Sequence, residues 1–493
     1  MGVNQSLRAR SLKLRIGTGG MSSGSPATPF AVAVLVGLCS ALALSLMPGF
    51  SGEKATLCGW LFGFGAIQIL IAFRLFRQDP SIVWTPMPWF LLTCALYYGF
   101  GPLVYFFADQ AIIDYTQAVW TVANRDIVRV TAVNAVGVAV ALLVYMAICK
   151  GKVLPGDSRR WLDSNFMAHG VKTFLLIGLP PLLLIRLAGF GYLHISPYGF
   201  LTWLGCFETA GYVLLATLAF LHGGRWWLGL GFMVAFEVGC GLLVFSKAAI
   251  LQSVFPLVFG FLNQKQRGLR NPLPLCLLAM VYLGASYYVD FARRQQLTNY
   301  LVRERASVVS SFGEAKDKLD VDDSRFAWWG RINYANTQTF VIQNYDQGYP
   351  GNSMRLGLIA WVPRVVWPNK PIIESGVDLH ERMTGNRGPS FGVGFFCEAY
   401  WNGGWTFVIL VGGGLGWLFA TFGAEIIKGV RNGNLWILPL ALLWIRSGLR
   451  SDGWLHTEII GPAVFTLLYL TLLRFWQLGP ASPRRRSIAP TTK

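Results

Sequence analysis

The chain alternates between long apolar runs and short polar connections over most of its length. A helix that crosses a bilayer needs about 20 predominantly apolar residues. On this basis the sequence predicts twelve spanning helices, at about residues 30–48, 56–73, 82–107, 129–149, 171–190, 200–221, 227–245, 248–262, 272–289, 404–423, 434–446 and 456–473. The spans at 248–262 and 434–446 are the shortest. The pattern therefore predicts an all-α, polytopic membrane protein.

One long region, residues 290–403, contains no apolar run of membrane length. It separates nine predicted spans within residues 30–289 from three within residues 404–473. Residues 1–29 and 474–493 form basic tails at the two ends. We therefore expect one large loop, held on a single side of the membrane.

The composition agrees with this class. Of the 493 residues, 54% are hydrophobic and only 13% are charged, whereas a soluble domain carries roughly 25% charged residues. The net charge of +18 is also typical of nucleic-acid-binding proteins. In a polytopic membrane protein, however, basic residues accumulate on cytoplasmic loops. We expect a lipid bilayer and no nucleic acid as a partner.

The distribution of Lys and Arg predicts the orientation. Assigning the connections alternately to two sides places both basic tails and most of the basic connections on one side. The short connections on the other side hold only Lys54, Arg125, Arg129, Lys247, Arg446 and Arg450. The positive-inside rule then places both termini in the cytoplasm and the 290–403 loop outside.

Several predicted spans carry ionisable residues. Arg186 follows Pro180-Pro181 in the fifth span, and Glu208 and Glu237 lie in the sixth and seventh. Charges at membrane depth are costly, so they mark functional sites or internal partners. An ion pair such as Arg186 with Glu208 is the structural alternative, and the sequence leaves both interpretations open.

The outer loop contains an apolar, Trp-bearing run from Leu356 to Trp367 that is broken by prolines. It is too short to span, and we interpret it as an interfacial segment. Such a segment would hold Arg355, Arg364 and Lys370 at the level of the lipid headgroups, where three cations can bind a lipid-linked diphosphate. General attraction to anionic lipid is the alternative.

An acidic part of the same loop contains Asp320-Val321-Asp322. This matches the D-x-D pair with which some glycosyltransferases hold a metal and a nucleotide sugar. Nucleotide sugars are not expected outside the cytoplasm. We therefore interpret this segment as a solvated acidic loop.

Two motifs suggest a family. WVPRVVWPNKP at 361–371 and GVGFFCEAYWNGG at 392–404 resemble the Pro-Arg…Trp-Pro-x-Lys-Pro and Glu-Ala-Tyr-x-Asn-x-Gly elements of bacterial oligosaccharide repeat-unit polymerases, the Wzy-type O-antigen and exopolysaccharide polymerases. Phe245-Ser246-Lys247 resembles a Ser-Arg/Lys step between two middle helices of that family. Residues 446–452 resemble its late, outer, Arg-bearing turn.

The resemblance implies a GT-C-like helical glycosyltransferase of the bacterial inner membrane that uses neither a metal nor a cofactor. Such an enzyme transfers a growing glycan from undecaprenyl diphosphate onto another lipid-linked repeat unit at the outer face of the membrane. The family resemblance also implies a chain-length regulator of the co-polymerase type as a partner.

This chemistry needs cations that stabilise the departing diphosphate and a base for the acceptor hydroxyl. The candidate cations are Arg364, Lys370, Arg331, Lys247, Arg446 and Arg450. Glu398 is the first candidate base, and His380 is the second. A structural hydrogen bond that ties the loop to the helix top is the alternative role for Glu398.

Three other functions remain open at this point. An O-antigen ligase would use the same lipid donor but a different acceptor. A lipid-linked oligosaccharide flippase, or another twelve-helix transporter, would perform no chemistry. A structural subunit of a polysaccharide export complex is the third. Against a transporter, the sequence shows a single long outer loop and no internal repeat.

Overall fold

A computed structural model describes residues 54–108, 120–149, 164–189, 199–243, 254–261, 332–360, 373–386 and 390–478, with isolated positions at 110, 113, 280, 284, 362, 367, 369 and 370. Within these ranges the chain is helical and forms no β-strand. The predicted span at 30–48 lies outside the described residues, as do almost all of 272–289 and the acidic segment at 320–322. Residues 254–261, inside the predicted span 248–262, are helical.

The helices follow one another in a simple order. They are α1 (Lys54–Gln78), α2 (Pro86–Cys94), α3 (Val104–Phe107), α4 (Asn124–Cys149), α5 (Ser164–Gly189), α6 (Gly199–His222), α7 (Arg225–Leu243), α8 (Ala335–Asp346), α9 (Ser353–Ala360), α10 (Ser375–Thr384), α11 (Phe395–Arg431), α12 (Leu438–Leu449) and α13 (Gly461–Leu478). A 3₁₀ turn, Pro80–Trp84, precedes α2, and another, Leu435–Ile437, precedes α12.

Seven of the described helical segments are long and apolar enough to cross a membrane. They are Lys54–Arg77, Pro86–Phe107, Asn124–Cys149, Ser164–Ala188, Leu201–His222, Phe395–Arg431 and His456–Arg474. Each lies over a predicted span, and a shorter apolar helix, Leu435–Leu449, lies over the predicted span 434–446. The prediction of a helical, multi-pass membrane protein is confirmed, whereas the number twelve stays a prediction.

The longest helix, α11, is divided by a break at two glycines. Gly403 has φ −168° and ψ 24°, and Gly404 has φ 61° and ψ −152°. The positive φ of Gly404 is a conformation that a residue with a Cβ rarely adopts. The predicted start of the span at 404 coincides with this break, so residues 395–402 form a separate helical segment above the apolar part.

Helices α4 and α11 pack closely through small residues. A Cβ atom on Gly416 would lie 2.2 Å from the Ala141 carbonyl oxygen, and one on Gly412 would lie 2.7 Å from the Gly137 carbonyl oxygen. Gly414, in contrast, faces open space. Small residues that let helix backbones approach are typical of membrane interfaces.

Two π-helical segments interrupt the regular helices. Ala95–Phe100 follows α2 and leads through the 3₁₀ turn Gly101–Leu103 into α3, and His456–Ile460 precedes α13. The first segment contacts the connection between α12 and α13, because the Tyr98 hydroxyl donates to the Ser451 carbonyl there. The second segment lies at the end of the same connection. Such π segments are frequent at functional sites, and both of these lie beside the connection between α12 and α13.

Candidate functional site

The connection between α12 and α13, residues 450–455, lies against the segment that leads into α11. The backbone N–H of Gly394 donates to the Asp452 carbonyl (3.1 Å), and that of Phe395 donates to the Ser451 carbonyl (3.3 Å). The Trp454 indole N–H donates to the Phe391 carbonyl at 3.0 Å. The 450–455 turn is therefore fixed by two hydrogen bonds to the GVGFF motif (392–396) and by a third to Phe391 just before it.

Glycine is required at two positions of this contact. A Cβ on Gly392 would lie 2.5 Å from the Asp452 carbonyl oxygen. Gly394 has φ +77°, and a Cβ there would lie 2.7 Å from the Tyr98 hydroxyl. Both values are below any normal contact distance, so the two glycines allow the backbone of the motif to touch the turn.

Helix α8 holds the same motif from the other side. The Thr337 hydroxyl donates to the Gly392 carbonyl at 2.8 Å, and the Gln338 amide donates to the Val393 carbonyl at 3.1 Å. The Gln338 side-chain oxygen accepts from the Asn134 amide of α4 at 3.4 Å. Parts of the loop that are 55 residues apart in sequence thus form one surface on top of the helix bundle.

Two arginines and a buried carboxylate meet beside the turn. Arg450 Nη2 lies 3.5 Å from Glu458 Oε1, and the Arg450 side chain is 48% exposed whereas that of Glu458 is 10% exposed. Arg446 lies one helical turn before Arg450 and also interacts electrostatically with Glu458. Asp452 also interacts with Arg450, so the group contains two arginines and two acids, and Arg450 lies at its partly exposed end.

Burial disfavours the charge on Arg450, but the carboxylates of Glu458 and Asp452 outweigh that effect and raise the pKa of Arg450. The guanidinium therefore stays charged at every physiological pH. Guanidinium groups bind phosphate oxygens in pairs of hydrogen bonds.

Asp452 is the second carboxylate beside Arg450. Its Oδ2 accepts a hydrogen bond from the Tyr334 hydroxyl at 2.8 Å, and its Oδ1 is shielded and has no hydrogen-bond partner. Burial, and then the nearby Asp452 carboxylate, raise the pKa of the Tyr334 phenol well above its usual value. Tyr334 therefore stays protonated as a donor, and Asp452 keeps one oxygen free to accept a proton.

Glu398 occupies a different environment. The residue is fully buried, and its Oε2 accepts the backbone N–H of Leu455 at 2.7 Å. Its Oε1 has no partner, while its backbone carbonyl accepts from the Asn402 amide at 2.8 Å. This geometry favours the structural alternative, in which Glu398 ties the first segment of α11 to the 450–455 turn.

The remaining predicted site residues are placed less directly. His380 Nδ1 lies 2.8 Å from the Asn386 carbonyl oxygen, and its ring centroid lies 4.5 Å from that of Phe391, which accepts the hydrogen bond from Trp454. Lys370 Nζ donates to the Val362 carbonyl at 3.1 Å, within its own segment. Arg364, Arg331 and Lys247 lie outside the described residues.

The structure thus brings Arg446, Arg450 and Glu398 together around one turn. Asp452 and Glu458 belong to the same group, although the sequence analysis did not select them. The signal available for Asp452 was its position inside the 446–452 segment. Its partner Tyr334 is 118 residues away, and sequence spacing does not show such a pair.

A cleft of about 400 Å³ opens next to this surface, between α9, α10 and the first segment of α11. The cleft is lined by Asn352, Asp378, Glu381 and Trp401. The Arg382 guanidinium, also in the lining, lies over the Trp401 ring, 5.6 Å from its centre. Carboxylate and amide groups beside an aromatic ring are suited to hydrogen bonding and stacking with sugar hydroxyls and faces.

The ionisable residues at membrane depth also form a contact. Arg186 Nη2 lies 2.8 Å from Glu237 Oε2, and both side chains are largely buried. The internal ion pair anticipated from the sequence is therefore present, but its acid is Glu237 on α7 and not Glu208. Glu208, on α6, accepts a hydrogen bond from the Thr209 hydroxyl at 3.2 Å instead. The packing of the helices therefore determines which acid pairs with Arg186.

No family model matches the chain, and no similar curated protein or solved structure was found. The site must therefore be interpreted from its own geometry.

Proposed function

We propose that the chain is a membrane-integral glycosyltransferase that polymerises polyprenyl-diphosphate-linked oligosaccharide repeat units at the outer face of a bacterial plasma membrane. About twelve spans in a GT-C-like arrangement, cytoplasmic termini and an interaction with a chain-length regulator belong to the same proposal. The observation that carries it is the group formed by Arg446, Arg450, Asp452 and Glu458 at one end of an apolar helix bundle.

The cations of this group suit the donor substrate. Departure of a lipid diphosphate leaves negative charge, which fixed guanidinium groups stabilise more strongly as the charge develops. Arg450 is half exposed and can bind a diphosphate at the membrane boundary directly, and the more buried Arg446, one turn below it, adds positive charge. Arg364 and Lys370, from the WVPRVVWPNKP motif, are further donors in this proposal.

Asp452 suits the role of the base better than Glu398. A base must lie within hydrogen-bond reach of the acceptor hydroxyl, and Asp452 is a partly exposed residue that interacts with the half-exposed Arg450. Glu398 is fully buried and holds the turn. In this proposal the acceptor glycan binds in the cleft over Trp401, beside the first segment of α11.

The test is the size of lipid-linked glycans in a deletion strain that carries Arg450→Ala or Asp452→Asn. Removing one preorganised charge-stabilising donor costs roughly 10² to 10³ in rate, so we expect long chains to disappear and single repeat units to accumulate. Arg125→Ala removes an exposed arginine at the start of α4 and serves as the control with the same charge change.

Each variant must reach the membrane at the wild-type level, as measured by immunoblot. Long polymer that is not attached to its final acceptor would indicate a ligase instead. Lipid-linked units retained on the cytoplasmic side would indicate a transporter. Wild-type chain lengths in both variants would show that this group is not the site.

A further inference from the structure

A second group of ionisable residues lies inside the helix bundle, away from the proposed site. Glu208 is the ninth residue after the start of α6, and Glu237 is the twelfth after the start of α7. Counted from the connection between the two helices, Glu208 lies 14 residues before His222 and Glu237 lies 12 residues after Arg225. At 1.5 Å per residue these distances are roughly 21 Å and 18 Å. Since α6 and α7 run in opposite directions, both carboxyl groups lie at similar depth, near the middle of a bilayer core of about 30 Å.

The charges of this group do not balance. Among the residues that the structure describes, Arg186 forms its ion pair with Glu237, and the carboxyl group of Glu208 forms none. Glu208 and Glu237 are 5% and 3% exposed. An unpaired carboxylate at this depth is very costly, so the group requires one additional positive charge.

Unpaired polar atoms show where that charge would be held. Four atoms of the group are buried and have no hydrogen-bond partner: Glu208 Oε1, Glu237 Oε1, the Tyr212 hydroxyl and Arg186 Nε. Tyr212 lies one turn after Glu208 on α6, is 1% exposed and interacts electrostatically with both carboxyl groups. Two carboxyl oxygens, one hydroxyl and one guanidinium N–H of interacting side chains are therefore buried without partners, so the group can accommodate an additional proton.

The titratable and polar groups around Glu208 in the described part of the chain come from three helices. Arg186 comes from α5, Glu237 and Cys240 from α7, and Thr209 and Tyr212 from α6 itself. Two further helices approach α6 just before Glu208. Arg446 of α12 interacts electrostatically with Cys206, and the Tyr469 ring of α13 lies 5.7 Å from the Phe207 ring. Helix α5 touches α6 here, since a Cβ on Gly178 would lie 2.1 Å from the Glu208 backbone nitrogen.

We propose that Glu208, together with Glu237, Arg186 and Tyr212, forms an exchangeable proton-binding site at membrane depth. In the protonated state Glu208 is a neutral acid whose O–H can donate to an unpaired oxygen of the group. On release, the proton leaves to water and Glu208 becomes a carboxylate that shares Arg186 with Glu237. This site is independent of the proposed glycosyl transfer and would allow the bundle to respond to the proton gradient across the membrane.

The test uses dicyclohexylcarbodiimide, an apolar reagent that modifies protonated carboxyl groups inside membranes. The full chain is labelled in its native membrane between pH 5 and 9, and the modified residue is located by peptide mass spectrometry. We expect Glu208 to be labelled at low pH and the labelling to fall at least tenfold as the pH rises. The wild-type chain alone gives this result, so it does not depend on the folding of a variant.

Two variants test the charge balance. In Glu237→Gln, Arg186 becomes available to Glu208, which should then ionise, and labelling of Glu208 should be lost. In Arg186→Gln, the cation that pairs with Glu237 is removed, and labelling should persist to higher pH than in the wild type. Glu425→Gln, on the distant part of α11, should leave the Glu208 profile unchanged.

Three results would overturn the proposal. Absence of label at Glu208 at any pH would show that it is ionised. Label that does not vary with pH would show a permanently neutral, structural acid. Suppression of the label by sodium chloride, but not by choline chloride, at a fixed pH would assign the site to a metal cation instead of a proton.

Discussion

At the scale of single residues, two carboxylates with similar bonding have different surroundings. Asp452 and Glu398 each accept one hydrogen bond on one oxygen and leave the other unpaired. Glu398 bonds a backbone N–H of the turn, which is a structural contact. Asp452 bonds the Tyr334 side chain beside Arg450, so its environment contains the groups needed for chemistry.

Substitution of Glu398 distinguishes these roles. The amide oxygen of Glu398→Gln can still accept the Leu455 N–H, so we expect this variant to keep most of the polymer chain length. In Glu398→Ala the N–H is left buried without an acceptor, and the variant should lose about 1–3 kcal/mol of stability. Glycan gels and thermal melting in detergent measure the two effects. If Glu398→Gln melts normally but makes no long chains, Glu398 is the base.

Tyr334→Phe tests the other hydrogen bond. Removing a donor to a partly buried carboxylate should cost roughly 1.5–3 kcal/mol. The pKa of the phenol is raised in the folded state, so its contribution is fully present below the unfolded value of about 10. The loss of stability should therefore be the same at pH 7 and pH 9.

Thermal melting of the purified protein at both pH values checks this expectation. Tyr349→Phe changes an exposed tyrosine and should have no effect. A deficit for Tyr334→Phe that shrinks between pH 7 and pH 9 would mean that the phenol ionises in this range and is not held by Asp452.

At the scale of helices, the contact between α4 and α11 sets the position of the site. The first segment of α11 carries Glu398, and the part below the break at Gly403 and Gly404 packs on α4 through Gly412 and Gly416. Displacing α11 from α4 would therefore move the motif that touches the 450–455 turn.

Gly416→Ala should be destabilising for this reason. Its Cβ would lie 2.2 Å from the Ala141 carbonyl oxygen, which belongs to backbone and cannot move aside. Overpacking of this kind typically costs about 1–3 kcal/mol. Gly414→Ala is the matched control two residues away, since its Cβ meets open space. Equal melting temperatures for the two variants would show that α4 and α11 are not in this contact.

At the scale of the whole molecule, apolar length was sufficient to predict the spans that the structure describes. Each of the seven spanning helices lies over a predicted run, because lipid imposes a length of about 20 apolar residues. Residues 446–452 and 392–404, the two segments with family-like motifs, lie side by side in the structure.

Features that depend on packing between distant segments were not predictable. The partner of Arg186 is Glu237 and not Glu208 because three helices decide which faces meet. The Tyr334–Asp452 bond and the two π segments beside the turn likewise depend on tertiary contacts. Composition limits which residues can be charged at depth, but it does not determine their partners.

The two ends of the bundle differ in charge, and this difference predicts orientation. Arg431, in the last turn of α11, forms an ion pair with Asp79, which follows α1. Arg77 and Lys428 lie in the last turns of the same two helices, so this end is basic. The positive-inside rule assigns it to the cytoplasm and assigns the opposite end, with the 450–455 turn and α10, to the outside.

Labelling with a membrane-impermeant maleimide tests this orientation. Glu381→Cys on α10 and Asn432→Cys after α11 both introduce a thiol at an exposed position. In intact spheroplasts we expect Glu381→Cys to react above the background of the native thiols, and Asn432→Cys to react only after the membrane is permeabilised. The reverse pattern would place the cations of the site in the cytoplasm. Glycosyl transfer at the outer face would then be impossible, because Arg450 and Asp452 could not reach a donor displayed there.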